Sequence, residues 1–186
     1  MVDMHADPIT LVPSRYEQWR EQFHAERRRI LDALAARNLD DTLVRIEHVG
    51  STAVPELDAK DIVDLDVVVA DGSVEQVSDA LLAELGGDRD QNSDGWHPVF
   101  RETDGQRFND HVFTKSDKGW RVSVATREVL RANERLREKY ETLKRELTGQ
   151  TDDIEEYSRS KTEFIDGLVE RARTDDAVKL DFDVPE

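Results

Sequence analysis

Cysteine is absent from the 186 residues, so no disulfide can staple the fold and no thiolate can hold a metal cluster. Long apolar runs are absent as well. A membrane helix needs roughly 18 or more consecutive apolar residues, and the densest stretch here is VVVA at 67–70. The opening MVDMHADPIT has no basic segment leading into an apolar one, which sets the expectation of a cytoplasmic protein. Lysine is scarce, with 7 residues against 19 arginines. Positive charge as a whole is outnumbered, 26 basic against 42 acidic residues, for a formal charge of -16. Such a surface repels nucleic acid at long range and disfavours an anionic membrane, so neither is expected as a partner. No Walker loop, zinc-ligand spacing or serine-hydrolase elbow occurs.

What remains is enough chain for one well-buried core. The Asp-rich, Lys-poor composition has a halophile-like character, in which high salt screens self-repulsion. Ser14-Arg15-Tyr16-Glu17 has the form of a capping box, followed by Trp19, Phe23, Ile30 and Leu34 at helical spacing up to about Asn38. Residues 43–49 alternate as a strand, 50–60 form a loop, and 62–69 make the best strand in the chain. A second helix starts at Ser73 and stops at Gly86-Gly87, with Val74, Val77, Leu81 and Leu85 inward. Strands are expected at 96–101 and 107–113 around the turn Thr103-Asp104-Gly105, and a third at 120–125. A helix over about 127–147 and another beginning after Thr151-Asp152 complete the order. The pattern is α+β, with a mixed β-sheet and helices packed mainly on one side. It is read as a single domain over 1–172, and the acidic tail at 173–186 as mobile or an added edge segment.

Asp64 and Asp66 stand two apart in the strand at 62–69, so they share a face with Ile62, while Val63, Leu65 and Val67 point away. One reading is a half-exposed strand with two solvated carboxylates. The other is a site for a hard divalent cation, Mg²⁺ or Mn²⁺, which would relieve the repulsion of the pair and contact phosphate oxygens. In that reading Gly50, Ser51 and Thr52 gain a role, because glycine permits close backbone approach and its neighbours offer amides and hydroxyls to a phosphate. Gly-Ser, 12 intervening residues, then Asp-apolar-Asp inside a strand is far more specific than either piece alone.

This arrangement resembles the nucleotidyltransferase superfamily, and EHVGSTAVPELDAKDIVDLDVVV at 47–69 is similar to the central signature of its GrpB branch. Further matches are NDHVF at 109–113, TREVLR at 126–131, the set Tyr140, Leu143, Lys144, Tyr157 and Lys161, and the segment 12–23. Together they run from about residue 10 to 172. The resemblance implies a nucleotidyltransferase-like sheet and a nucleotide or phosphorylated small molecule as ligand. Some relatives are fused to dephospho-coenzyme A kinase, which implies a nucleotide or coenzyme A context. A metal-dependent nucleotidyl transfer to an unknown acceptor is the activity implied. The alternatives are a binding protein without catalysis and a purely structural or interaction protein.

The chain also departs from the family pattern. A histidine–apolar–histidine run is common in the strand at 107–113, where this sequence has Asn109, Asp110 and His111. Alternation forbids Asp110 and His111 from facing the pocket together. With His111 inward a third acidic ligand is missing; with Asp110 inward a carboxylate triad is complete. The resemblance favours His111. His48 either bonds a loop carbonyl or sits at the pocket as phosphate contact, metal ligand or general base. Lys60 is a surface residue or a phosphate contact. Arg101, Arg107, Arg127 and Arg131 are surface ion-pair partners or a positive wall opposite the carboxylates. Lys144 and Lys161 are weaker additions to that wall. Tyr140 and Tyr157 either pack helices or stack on a base. Gly50, Ser51, Asp64, Asp66 and His48 are expected to line one cleft.

Overall fold

A computed structural model describes residues 10–89, 93–148 and 154–185. Five strands form one mixed sheet: β1 (Leu43–Val49), β2 (Ile62–Val69), β3 (Asp88–Arg89), β4 (Trp96–Thr103) and β5 (Gln106–Thr114). Their spatial order is β1-β2-β5-β4-β3. Only the central pair, β2 with β5, runs parallel; β1–β2, β5–β4 and β4–β3 are antiparallel. Six helices surround it: α1 (Tyr16–Ala36), α2 (Val74–Leu85), α3 (Gly119–Ala132), α4 (Glu134–Thr148), α5 (Ile154–Arg159) and α6 (Thr162–Thr174). Among the described residues no helix is long and apolar enough to cross a membrane.

The sheet is covered across one face by α1 and α2. Val63, Leu65, Val67 and Val69 turn to that side and meet Trp19, Ile30 and Leu34 of α1 and Val77 and Leu81 of α2 in the main core. Alternation sends Ile62, Asp64, Asp66 and Val68 to the opposite face. There Val68, Val49 and Phe113 pack against Trp120 and Val124 of α3, while a third cluster ties α3 to α4 and α6. The rest of that face lies open beneath the C-terminal helices.

Local chemistry explains most element boundaries. Asp104 and Gly105 both have positive φ, 52° and 76°, the backbone that a two-residue hairpin between twisted strands requires. Gly86, at φ 74°, closes α2 with its N–H on the Leu82 carbonyl. The capping box at Ser14 does not form: α1 starts at Tyr16 without a side-chain cap, and the Ser14 N–H donates to Asp58 Oδ1 at 3.2 Å.

Two expectations are corrected. Residues 120–125 are helical, the first part of α3. Trp-Arg-Val-Ser-Val-Ala alternates as a strand would, but Trp120, Val124 and Ala125 also fit a helical face that continues to Val129 and Leu130, and burial follows the longer period. The helix expected over 127–147 breaks at Asn133 (φ -134°, ψ 98°), whose side-chain oxygen accepts the Leu136 N–H at 3.0 Å and caps α4. The two-residue strand β3 was not foreseen. The expected helix start at Thr151-Asp152 lies outside the described residues. Beyond α6 the described part of the acidic tail joins no strand. Its apolar residues Val178, Leu180, Phe182 and Val184 pack on the α3 side, Phe182 edge-on to Trp120 at 4.9 Å, and Asp181 pairs with Arg45 at 3.1 Å.

Candidate functional site

The open face of the sheet forms the floor of a cavity of about 770 Å³. Asp64 and Asp66 from β2, Asn109 and His111 from β5, and Trp96, Pro98 and Phe100 from β4 project into it. Gly50, Ser51 and Lys60 line it together with Tyr140, Lys144, Tyr157, Lys161 and Ile165 of the C-terminal segment, the two groups meeting at Ser51–Lys144 and Lys60–Tyr157. One end is therefore apolar and aromatic, and the other is crowded with charge.

The Gly-Ser turn and the carboxylate strand are in direct contact. Gly50 has φ 70°, and a methyl group on it would collide with Asp64 Oδ2, so only glycine fits. The following turn Ser51–Ala53 is a single 3-10 turn, closed by the Ala53 N–H on the Gly50 carbonyl at 3.2 Å. Ser51 Oγ accepts from Lys144 Nζ at 3.2 Å, and the same ammonium donates to the Asp58 carbonyl.

The two carboxylates differ. Asp64 retains 29% side-chain exposure and accepts from Asn109 Nδ2 at 3.3 Å. Burial pushes its pKa up to about 6, with Lys60, Asn109 and Lys161 opposing the rise. Asp66 is completely buried, and neither of its oxygens has a hydrogen-bond partner. The Ser123 hydroxyl favours its ionised form, but that hydroxyl donates to the Gly119 carbonyl at 3.1 Å. Burial therefore holds the Asp66 carboxyl well above the usual carboxylate range.

Of the chain's 7 lysines, three line this cavity. Burial draws Lys144 down to about 7, helped by Lys161; Lys161 falls to about 8 through burial and Lys60, with Asp64 opposing. Lys60 is lowered by burial too, with Asp64 opposing. Tyr157 lies under two of them, 4.2 Å from Lys161 Nζ and 5.5 Å from Lys60 Nζ, and Tyr140 is 5.1 Å from Lys144 Nζ. Ammonium groups poorly solvated and short of carboxylate partners suit an anionic ligand.

Gly50, Ser51, Lys60, Asp64, Asp66 and His111 thus come together, along with Lys144, Lys161, Tyr140 and Tyr157. Thr52 borders the cavity, but its hydroxyl is bonded to His48 Nε2 at 3.1 Å. His48 does not line the cleft. It pairs with Leu65 in register, shares that residue's face of the sheet, and stacks on Phe23 of α1 at 4.9 Å. Burial and the nearby Arg131 and Arg127 lower it to about 3, so it is a neutral packing residue.

The arginine wall is not present. Arg101 is on the α1 side of the sheet, its Nε 3.0 Å from Glu26 and 3.4 Å from Asp110, in a wholly buried charge cluster. Asp110 belongs to that cluster and is excluded as a cleft ligand, because His111 takes the inward position. Arg127 donates to Glu47 at 2.8 Å and the His48 carbonyl at 2.7 Å; Arg131 donates to the Ala53 carbonyl at 2.9 Å. Both brace the Gly-Ser turn from outside. Arg107 shares the strand face of Asn109 and His111 without lining the cavity.

For a divalent cation the side-chain donors at hand are two carboxylates and the unpartnered Oδ1 of Asn109. The orphaned oxygens of Asp66 beside Asp64 are hard donors that fit Mg²⁺ or Mn²⁺. Among the described residues no group of three His, Cys, Asp or Glu side chains converges as a metal cage. The amide of Asn109 and the imidazole of His111 stand in register with Asp64 and Asp66, where a carboxylate on the neighbouring strand would complete one.

A strand with two aligned carboxylates, a glycine turn pressed against them and a lysine-lined roof mark an α+β protein built around a cleft that sets carboxylates against ammonium groups. Comparison with known proteins agrees in extent with this unit. The GrpB protein family profile matches residues 8–171, and the chain belongs to the GrpB family. It is 39% identical over 157 residues to a UPF0157 protein of Streptomyces coelicolor, covering 83% of this chain and 80% of that protein. A UPF0157 protein of Halalkalibacterium halodurans is 32% identical over 172 residues, 90% and 84% of the two chains. The crystal structure of the conserved protein GrpB from Enterococcus faecalis superposes with TM-score 0.71 at 26% identity, covering 88% of this chain and 96% of that one.

Proposed function

We propose that the cleft binds a nucleoside triphosphate together with Mg²⁺ or Mn²⁺ and transfers its nucleotidyl group to a hydroxyl acceptor. The observation that carries this reading is Asp66: fully buried, both oxygens unpartnered, and aligned with Asp64 against the Gly50 turn. A group held at such desolvation cost is suited to a cation that enters with the ligand. Bound there, the cation would supply charge neutralisation between carboxylates and phosphate oxygens. The chain's own groups do the rest. Ser51 and Lys144 hold terminal phosphate oxygens, Lys60 and Lys161 offset the charge that develops on the leaving diphosphate, and Trp96 and Phe100 offer aromatic surface to a base. The acceptor oxygen forms a bond to the α-phosphorus, the bond to the β-phosphate bridging oxygen breaks, and the acceptor proton leaves to solvent.

A second reading, nucleotide or coenzyme A binding without transfer, is favoured by one observation. Asn109 brings an amide, not a carboxylate, to Asp64. Thermal shift with ATP, GTP, CTP, UTP or coenzyme A, each with Mg²⁺ or Mn²⁺ in molar KCl, tests both. A shift that needs metal and nucleotide together, and vanishes in Asp64→Asn and Asp66→Asn, supports the site. Diphosphate release then separates transfer from binding, and no shift with any combination overturns both readings.

A further inference from the structure

His111 occupies an ambiguous position. Its Nε2 stands 3.9 Å from Asp64 Oδ1, too far for a hydrogen bond but a spacing that an ion about 2 Å from each atom could bridge. Distance alone therefore suggests a histidine–carboxylate metal site. The other ring nitrogen decides against it. His111 Nδ1 lies 3.0 Å from Trp96 Nε1, and an indole nitrogen is a donor only. Nδ1 must then present its lone pair to Trp96, which leaves the ring proton on Nε2. The imidazolium is also disfavoured, since its Nδ1–H would confront the indole N–H. Ring packing holds this arrangement: Trp96 stacks on His111 at 5.5 Å, Phe113 lies 6.0 Å away on His111, and Trp96 and Phe113 stack at 5.8 Å. Metal-bound histidines show the reverse pattern, in which the second nitrogen donates to a carboxylate or carbonyl.

We propose that Trp96 fixes His111 as an Nε2–H donor facing the space beside Asp64, so that His111 binds a ligand oxygen there and serves neither as metal ligand nor as general base. The gap of 3.9 Å leaves an oxygen, of a phosphate or of an acceptor hydroxyl, within reach of the ring N–H. It follows that the protein donors to a cation in this cleft are oxygens, the carboxylates of Asp64 and Asp66 and the unpartnered Oδ1 of Asn109, with no imidazole nitrogen among them. The site then selects hard ions such as Mg²⁺ and Mn²⁺ and gives Zn²⁺ no nitrogen ligand. Trp96 is the positioning residue, acting through His111. The tautomer stands on the indole contact by itself; its use toward a ligand oxygen rests on the nucleotide-site reading.

Long-range ¹H–¹⁵N correlation of histidine-labelled protein near pH 7 reads the tautomer directly, without ligand. His111 is expected to show a pyridine-like Nδ1 and a pyrrole-like Nε2, and Trp96→Phe to shift this toward a tautomer mixture. Calorimetric titration with Zn²⁺ alone reads the consequence. Trp96→Phe is expected to bind Zn²⁺ at least about tenfold more tightly than the unsubstituted protein, the scale on which ligand-orienting partners act. The gain should be absent in the double variant Trp96→Phe/His111→Gln. An Nδ1-protonated ring or an imidazolium in the unsubstituted protein overturns the assignment. Equal Zn²⁺ affinity with and without Trp96 overturns Trp96 as the group that keeps His111 from a metal. If the spectra agree but Mg²⁺ with ATP gives no thermal shift, the nucleotide reading fails and the tautomer survives.

Discussion

Replacing Asp66 with asparagine should make the metal-free protein more stable. Asp66 is fully buried with both oxygens unpartnered, so ionising it in the fold forfeits hydration without compensation. Its pKa lies well above the ordinary 3.8, which means that the native state holds a proton that the unfolded chain releases. Stability is therefore lost as pH rises above 3.8, through the folded-state value. The loss at any pH is bounded by the cost of protonating an ordinary carboxyl, at 1.36 kcal/mol per pH unit. That bound is about 4 kcal/mol at pH 7 and about 2 kcal/mol at pH 5. Asparagine escapes this term but leaves an amide poorly bonded, at about 1–3 kcal/mol. The net gain expected at pH 7 is about 1–3 kcal/mol, shrinking toward zero or reversing near pH 4.5. Urea unfolding in EDTA at several pH values measures it. Adding Mg²⁺ with ATP should then stabilise the unsubstituted protein and not the variant. A variant less stable at pH 7 in EDTA, or a gain that ignores pH between 4.5 and 7, would refute the assignment of Asp66 as an uncompensated buried carboxyl.

Other variants probe the rest of the site. Gly50→Ala forces a β-carbon into Asp64 at φ 70° and should cost about 1–3 kcal/mol in chemical denaturation while abolishing the metal-and-nucleotide thermal shift. Arg101→Ala leaves Asp110 without its cation and Glu26 with Arg29 alone, and should cost about 3–5 kcal/mol, yet leave the ligand-induced shift of the folded protein intact; loss of binding in a folded variant would restore Arg101 to the cleft. Lys144 titrates near 7 in the fold and 10.5 ordinarily, so the native state binds fewer protons between those values and stability rises with pH across that window. Lys144→Met should flatten that rise in urea titrations from pH 7 to 10 and weaken nucleotide binding.

How far the sequence alone reaches depends on whether the signal is local. β2 is legible to the residue because eight positions combine apolar content with turn signals on both sides. That Gly50 and Asp64 share one cleft was legible only from the combined spacing and the family resemblance, since Gly-Ser alone is a weak signal. Parity was the weak point. His48, Arg101 and Asp110 each sit one residue away from a cleft-facing neighbour, and alternation assigns a face only once one member of the strand is anchored. His111 anchored β5 through resemblance, and Asp110 followed. Nothing comparable anchored β4, where Phe100 faces the cleft and Arg101 the core. For α3 a six-residue window satisfied both periods. Lys144 and Lys161 carry no local mark at all: a lysine on an amphipathic helix looks solvent-bound until another element arrives above it.

The cleft is divided by chain order. Its acids lie on β2, and two of its three lysines come after the Asn133 break, Lys144 on α4 and Lys161 just ahead of α6, with Ser51 and Lys144 separated by 93 positions. During synthesis the strand with Asp66 is made long before Lys144 and Lys161, and the sheet can pair while Lys60 is the one cleft lysine in place. Closing so long a loop carries the entropic cost that any non-local contact must meet before it forms. The last segment to be made thus brings two of the three lysines that face Asp64 and Asp66.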